Sequence, residues 1–454
     1  MRKAAPLSRR TFLAASTAAT AFMFLPRHVL GRRGAPSPNS KLNIAGVGIG
    51  SQGASDLEDV SGENIVALCD VDWDYAADTF NTYPKARRYR DFRQMLDKEK
   101  NIDAVVIGTP DHAHAIVSVT AMRAGKHVYC EKPLTRTVQE ARTVAKVARE
   151  TGVATQMGNQ GMAFEGNRLI NEWLWDGAIG PVREVHAWSD SPSHWGKPSR
   201  WSQYAERPTD MPPVPPGLDW NLWLGPAPWR PYHPAYVPGR WRRWWDFGSG
   251  ALGDMGIHDL APVFSALKLG APETISGSSS PVFPETLPAV SAVHYQFPAR
   301  DGMPPVKLHW YDGGLLPERP AELEEGRELD PEDGILFIGD KGKMLVTGWG
   351  GAHPHLLPAS LDREYKRPPK TLPRVVGSDQ EKCHRLEWVQ ACKTGSPTRS
   401  NFGFAGPLTE AVLLGTVCIR NGGDKLVWDS GNLKTNDPDA NKYLDYEHRE
   451  GWRL

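Results

Sequence analysis

Three polar residues stand out for the chemistry they can do. Lys132 lies in the stretch Cys130-Glu131-Lys132-Pro133-Leu134, and Asp254 and His258 lie four residues apart within Gly248–Leu267. A lysine can polarise a substrate oxygen or share its proton, an imidazole can carry a proton, and a carboxylate can orient either group. Glu131 beside the lysine can hold charge near a bound ligand. Leu260, Val263, Phe264 and Leu267 fall on one helical face. Pro262 fits best in a first turn, which puts His258 at or near the start of that predicted helix. There the helix dipole disfavours the imidazolium and leaves the ring available as a base, the leading proton carrier. Lysine serves instead if burial lowers its pKa, and the spacing leaves that choice open. A Lys-Pro turn and an Asp-His pair are also ordinary structural features, so the chemistry needs a partner elsewhere in the chain.

That partner is a glycine motif. The buried stretch KLNIAGV (41–47) is followed by Gly48-Ile49-Gly50-Ser51-Gln52-Gly53 and a helical pattern. This is G-x-G-x-x-G between a strand and a helix. The first glycine permits a tight turn, the second lets backbone approach a pyrophosphate at the helix N-terminus, and the third lets helix and strand pack closely. A second strand, NIVALCD, ends in Asp70. A carboxylate there can accept hydrogen bonds from ribose hydroxyls and would repel a 2′-phosphate. That favours NAD as the cofactor, with NADP possible where an arginine lies close.

The elements that must position these groups follow in turn. IDAVVIGTP (102–110), HVYCEKP (127–133) and VATQMGNQ (153–160) read as strands, with helical segments between them. Such alternation predicts an α/β fold with a doubly wound parallel sheet, a Rossmann domain over residues 41–160. Ligands bind at the carboxyl ends of such strands. Those ends carry Thr109, Pro110, Asp111, His112, His114, Glu131, Lys132, Asn159 and Gln160. With Gly48–Gly53 and Asp70, these residues other than Asp111 form the candidate cofactor site.

After Gln160 the pattern changes. AVSAVHYQFPA and PVKLHWYDGG alternate like half-solvated antiparallel strands, and ILFIGDKGKMLVTG reads as a hairpin turning at Gly339–Gly342. Residues 161–454 are therefore expected to form a second α/β domain on an open, mainly antiparallel sheet. Of the 17 tryptophans, 11 lie between Trp173 and Trp245. The Pro- and Trp-rich stretch 192–245 is too proline-rich for core helix or strand and reads as an ordered insertion over the site or at an oligomer contact. Trp241, Arg242 and Trp245 just precede Asp254. They are candidates for a sugar site, because indole faces stack on sugar rings, although aromatic side chains serve packing equally well.

Composition narrows the function classes. Lys plus Arg and Asp plus Glu both number 53, so no net field draws the protein to nucleic acid or anionic lipid. The 5 cysteines show no CxxC pairing, which argues against a disulfide framework and a cysteine-based zinc site; no metal ligand set is expected. At the N-terminus, Ser8-Arg9-Arg10-Thr11-Phe12-Leu13 precedes an apolar run to Leu25. The run is too short for a stable membrane span. Paired arginines ahead of it resemble a twin-arginine export signal, with linker, over residues 1–35.

Taken together, Gly48–Gly53, TPDHAH (109–114), EKP (131–133), GDMGIHD (253–259) and GDKG (339–342) resemble the glucose–fructose oxidoreductase/inositol dehydrogenase/rhizopine-catabolism (Gfo/Idh/MocA) family, from about Lys41 onward. The resemblance implies an NAD(P)-dependent oxidoreductase in which Lys132, Asp254 and His258 flank a sugar or cyclitol over the nicotinamide. It also implies a homodimer or homotetramer formed through the antiparallel sheet. Twin-arginine export carries folded proteins, so such an enzyme would engage that export machinery and reach the periplasm with its cofactor already bound. Outside the cytoplasm the cofactor must be regenerated on the enzyme or by a partner. Two redox-neutral options fit that constraint: oxidation of a sugar with reduction of a second carbonyl substrate, or transient oxidation, elimination and re-reduction of a glycoside, which hydrolyses or epimerises it. A non-catalytic sugar-binding protein on the same fold is the third possibility.

Overall fold

The computed structural model describes residues 40–190, 206–374 and 377–454. The arginine pair at 9–10 and residues 192–205 of the aromatic stretch lie outside the described residues.

The first half builds the predicted parallel sheet. Its strands are β1 (Asn43–Val47), β2 (Asn64–Cys69), β3 (Arg87–Tyr89), β4 (Ala104–Ile107), β5 (His127–Glu131) and β6 (Thr155–Gly158). They lie in the order β3-β2-β1-β4-β5-β6, all parallel. The order reverses at β1, so the carboxyl ends of β1 and β4 open the crevice where such sheets bind ligands. Helices α1 (Gln52–Asp59), α2 (Ala77–Thr82), α3 (Phe92–Lys98), α4 (Asp111–Arg123) and α5 (Val138–Thr151) connect the strands. A capping box between Thr137 and Glu140 fixes the start of α5, and Gly152 in the left-handed region ends it.

After α6 (Glu165–Trp175) comes the second sheet. Its strands are β7 (Val182–Ser189), β8 (Thr274–Ser279), β9 (Ser291–Phe297), β10 (Val306–Asp312), β11 (Asp333–Gly339), β12 (Gly342–Thr347), β13 (His353–Leu357), β14 (Leu426–Asp429) and β15 (Lys434–Thr435). They run β13-β12-β11-β7-β10-β9-β8-β14-β15. Only the β7–β10 pair is parallel among these described strands, and the expected hairpin closes with Gly339 opposite Gly342.

Between β7 and β8 lie α7 (Trp220–Leu224) and α8 (Ile257–Leu267). Helical winding starts at Gly250, and a π-helical turn over Leu252–Gly256 runs straight into α8. His258 therefore sits well inside the helical segment, not at its start, and Pro262 is interior. The sequence reading failed here because Gly250, Gly253 and Gly256 look like helix breakers. Close approach favours glycine here: Gly250 has a φ of +68° and its Cβ would lie 2.7 Å from Leu287 Cδ2, while a Cβ on Gly253 would lie 1.8 Å from Ser249 Oγ one turn back. The dipole argument for His258 does not apply.

The chain does not divide at residue 160 as cleanly as its pattern suggests. Helices α9 (Ala359–Glu364), α10 (Gln380–Thr394) and α11 (Phe402–Arg420) follow β13, and two of them return to the first sheet. Trp388 and Val389 of α10 join Ile44, Leu57 and Leu68 in one core cluster, and Arg385 pairs with Asp56 at 2.7 Å. From α11, the Phe402 amide donates to Thr155 Oγ1. Helix α11 is long and apolar enough to cross a membrane, but most of it is buried inside the protein as a core helix.

The part of the aromatic stretch within the described residues has its own core, formed by Leu218, Trp220, Trp223, Leu224, Tyr236, Val237, Trp244 and Phe247. It fastens to the first sheet where the Trp73 amide donates to Gly217 O and the Asp219 amide donates to Val71 O.

Candidate active site

The glycine turn leaves β1 at Gly48, whose φ of +72° favours glycine. A Cβ on Gly53 would fall 2.0 Å from Gly48 O, so close packing of α1 against the turn forbids a side chain there. Gly50 lies under the Tyr75 ring, with its would-be Cβ 2.3 Å from Tyr75 Cε1. Gly48, Gly50, Ser51 and Gln52 line a cleft closed on its other walls by Asp70, Asp72, Thr109, Pro110, Glu131, Lys132, Trp241, Arg242 and Asp254. Thr109 Oγ1 is buried in this wall without a hydrogen-bond partner. The bare backbone turn, the helix behind it and this unpaired hydroxyl fit a dinucleotide with its pyrophosphate at the start of α1.

Asp70 is where the sequence placed it, at the end of β2, but its carboxylate is already engaged. Oδ2 accepts from the Ile49 amide at 2.8 Å and Oδ1 from the Asp72 amide at 2.9 Å. Burial lifts its pKa to about 6, against those hydrogen bonds. Asp70 thus shapes the turn as well as lining the cleft, and Asp72, two residues on, adds a second carboxylate that the sequence reading passed over.

Lys132 reaches the cleft from the end of β5. Its Nζ lies 2.6 Å from Asp254 Oδ1, and the Arg242 guanidinium Nε approaches the same oxygen at 3.7 Å. Burial alone would raise the Asp254 pKa, but the Lys132 and Arg242 charges outweigh it and hold the carboxyl below the usual range. Lys132 thus meets Arg242 and Asp254, more than a hundred residues further along the chain, as a cation–carboxylate–cation group beside the glycine turn.

His258 stands behind this group. It is 5% exposed and packs edge-on against Trp349, and its Nδ1 has no hydrogen-bond partner. Burial, and then the nearby Lys132 charge, push its pKa down to about 3. The ring is neutral, as expected, but through burial and not through a helix dipole. His258 is not among the residues that line the cleft, whereas Lys132 and Asp254 are.

Several other candidates turn out to support the walls. Glu131 receives a 2.6 Å hydrogen bond from Gln160 Nε2, and Gly158 leaves room for its carboxyl. Burial, then the Asp56 charge, raise its pKa to about 8. His112 is fully buried between Trp223 and Phe247 with Nε2 2.9 Å from Trp223 O. The ring nitrogens of His114 lie 2.7 Å from the carbonyls of Thr109 and Pro133, tying two strand ends together. Ile49 contributes its amide while its side chain is core. Asn159 is buried with both side-chain polar atoms unpartnered, off the cleft lining.

The aromatic candidates separate. Trp241 lines the cleft under the Arg242 guanidinium, 4.6 Å from the ring centre. Trp245 does not: its indole donates to Phe283 O and lies under Arg420, in a different recess. Trp223, Val237 and Pro238 line the cleft instead, and Trp452 reaches it from the far end of the chain. Nothing in the local spacing around these residues marks them.

Comparison with known proteins agrees with this geometry. Residues 41–159 match the NAD-binding Rossmann-fold model of the Gfo/Idh/MocA oxidoreductase family, and residues 194–277 match that family's C-terminal alpha/beta domain model. The chain is 32% identical to inositol 2-dehydrogenase of Salmonella typhimurium over 150 residues, 32% of this chain and 44% of that protein. It is also 32% identical over 160 residues to a glycosyl hydrolase family 109 protein of Stenotrophomonas maltophilia, covering 32% of this chain and 34% of that one. The chain thus matches less than half the length of either relative. The solved structure of the WlbA dehydrogenase from Bordetella pertussis in complex with NADH and UDP-GlcNAcA superimposes with a TM-score of 0.59 at 16% identity, covering 86% of this chain and 99% of that one. Two models of the Gfo/Idh/MocA oxidoreductase family thus match in order along the chain, over residues 41–159 and 194–277.

Proposed function

We propose that the protein is an NAD-dependent oxidoreductase acting on a hydroxyl group of a sugar, glycoside or cyclitol. The observation that carries this reading is the Lys132–Asp254 pair at 2.6 Å, set in the same cleft as the glycine turn. Bound there, the dinucleotide would supply the hydride acceptor or donor. Lys132 gives the substrate oxygen a proton or takes one from it. Asp254 holds the Lys132 amine in place, and Arg242 shares that carboxylate from the substrate side. Trp241 offers an apolar face to a sugar ring. The neutral His258 behind the pair leaves the positive charge on Lys132 and Arg242.

Asp70 and Asp72 both face the ribose end of the cleft and favour NAD over NADP. Arg90 also lines the cleft, but its Nη1 donates to the carbonyls of Val71 and Gly217. The Arg9-Arg10 signal supports twin-arginine export of the folded, cofactor-loaded protein to the periplasm, with the cofactor recycled on the enzyme. Assembly as a homodimer or homotetramer through the second sheet belongs to the same reading. The similarity to a family 109 glycosyl hydrolase supports a second reading, in which oxidation and re-reduction on one enzyme cleave a glycoside without net redox change.

Mass spectrometry of the purified full chain should find bound nicotinamide dinucleotide. Addition of sugars, glycosides and cyclitols should then change its absorbance. Release of free sugar from a glycoside without net absorbance change selects the hydrolytic reading. Protein that neither contains nor binds NAD or NADP contradicts both. Replacing Arg9 and Arg10 by lysine should keep the loaded protein in the cytoplasm, and normal export of that variant would remove the export assignment.

A further inference from the structure

The outer face of the second sheet carries a group that the cleft does not use. His294, His309 and His186 sit side by side on three adjacent strands, β9, β10 and β7. His309 is in register with His294 on one side and with His186 on the other. Glu184, two residues before His186, points to the same face because side chains alternate along a strand. The imidazoles of His186 and His309 stack at 4.8 Å between ring centres, with an interplanar angle of 23°. Glu184 Oε1 lies 3.0 Å from His186 Nε2 and 3.3 Å from His309 Nε2.

The outer nitrogens of these rings are held by neighbours. His186 Nδ1 is 3.1 Å from the Tyr311 hydroxyl oxygen, and His309 Nδ1 is 2.6 Å from His294 Nδ1. When the two Nδ1–H groups donate to those partners, both Nε2 lone pairs converge on the Glu184 carboxylate. His309 Nε2 is shielded from solvent and makes no hydrogen bond. Two lone pairs and a carboxylate facing one point repel each other unless a cation lies between them. Ring nitrogens fixed by a hydrogen bond on the far side are the usual arrangement around a metal ion.

We propose that Glu184, His186 and His309 bind one transition-metal ion, zinc by the chemistry of the donors, on the outer face of the second sheet. Tyr311 and His294 act as positioning residues for the two imidazoles. Two imidazole nitrogens with one carboxylate oxygen suit zinc and its neighbours and do not suit calcium or magnesium, which take oxygen ligands. Metal–ligand bonds of about 2.0–2.1 Å in a tetrahedron place ligand atoms roughly 3.3 Å apart. The two edges of the cluster that meet at Glu184, 3.0 and 3.3 Å, already match that spacing, and all three ligand atoms lie within 4.8 Å of one another. Three ligands leave the fourth position open. The site is separate from the cleft and independent of the reading given for it.

The test uses tag-free, full-length protein stripped of metal by chelation and titrated with Zn²⁺ by calorimetry and with Co²⁺ by its visible absorption. One ion per chain is expected, with the Co²⁺ spectrum of a four-coordinate N/O site. His309→Gln and Glu184→Gln should each weaken binding by at least about tenfold, and Tyr311→Phe by about 10–100-fold while leaving the stoichiometry at one. Circular dichroism confirms that each variant is folded. No uptake by the folded wild type overturns the proposal and leaves a hydrogen-bonded ion pair of Glu184 with its imidazoles. Uptake unchanged in both His309→Gln and Glu184→Gln overturns it as well, because the ion then sits elsewhere.

Discussion

The two sides of the cleft are made of different materials. The cofactor side is backbone: a turn from Gly48 to Gly53 in which side chains would collide, backed by the first turn of a helix. The substrate side is side chains: Lys132 from the end of β5, brought against Arg242 and Asp254 from the segment that leads into α8. A backbone site is encoded within a few consecutive residues and tolerates almost no substitution. A side-chain site is encoded at long range and can be changed one group at a time. Binding and chemistry should therefore come apart under mutation.

The largest expected effect lies on the side-chain half. Lys132→Ala should lower turnover by about 10²–10⁴-fold while bound dinucleotide, measured by mass spectrometry, stays near the wild-type amount. If turnover and cofactor content fall together, the two halves are not separable. Gly53→Ala tests the other half. Its methyl group would collide with the Gly48 carbonyl oxygen. It should cost roughly 1–3 kcal/mol of stability and lose dinucleotide on dilution, seen by calorimetry and thermal melting.

A pair of tryptophans sharpens the boundary of the substrate side. Trp241→Ala should raise KM several-fold, in line with about 0.5–1.5 kcal/mol for one aromatic contact. Trp245→Phe should leave KM unchanged and lower Tm, because that indole bonds Phe283 O in another recess. Equal effects on KM would show that both rings face the substrate.

The smallest effect concerns pH. Asp111 lies under the cleft, where burial raises its pKa to about 7, partly offset by the hydrogen bond from Ser249. The folded state thus binds a proton that the unfolded state has already lost above a pKa of roughly 4. Stability from this group is present below that value and declines as pH rises towards about 7. Asp111→Asn should flatten that part of the Tm-against-pH curve for the cofactor-free protein. An unchanged slope would place the titration elsewhere.

Much of the parallel sheet was legible in the sequence, since each of its buried strands is short, apolar and bounded by polar ends. The glycine turn was legible for the same local reason, and so was the Gly339–Gly342 hairpin. The Lys132 and Asp254 stretches were each visible, but only the family resemblance implied their meeting, because it depends on how β5 and the segment before α8 pack. The π-helical turn was hidden because glycines chosen for close approach look identical to glycines chosen for flexibility. His112 and Glu131 were read as ligand groups from their position at strand ends. Their burial, set by Trp223, Phe247 and Gln160 from other parts of the chain, was not in the local pattern. The Glu184–His186–His309 group was hidden as well, since no spacing rule joins residues on neighbouring strands.

The most direct measurement is a single-turnover experiment on loaded full-length protein, following nicotinamide absorbance after addition of a responsive sugar or cyclitol. The wild type should show a rapid change equal to its bound cofactor. Lys132→Ala, carrying the same cofactor, should show that change slowed by about 10²–10⁴-fold. An equally fast change in Lys132→Ala would contradict the assignment of the proton-handling group to the Lys132–Asp254 pair.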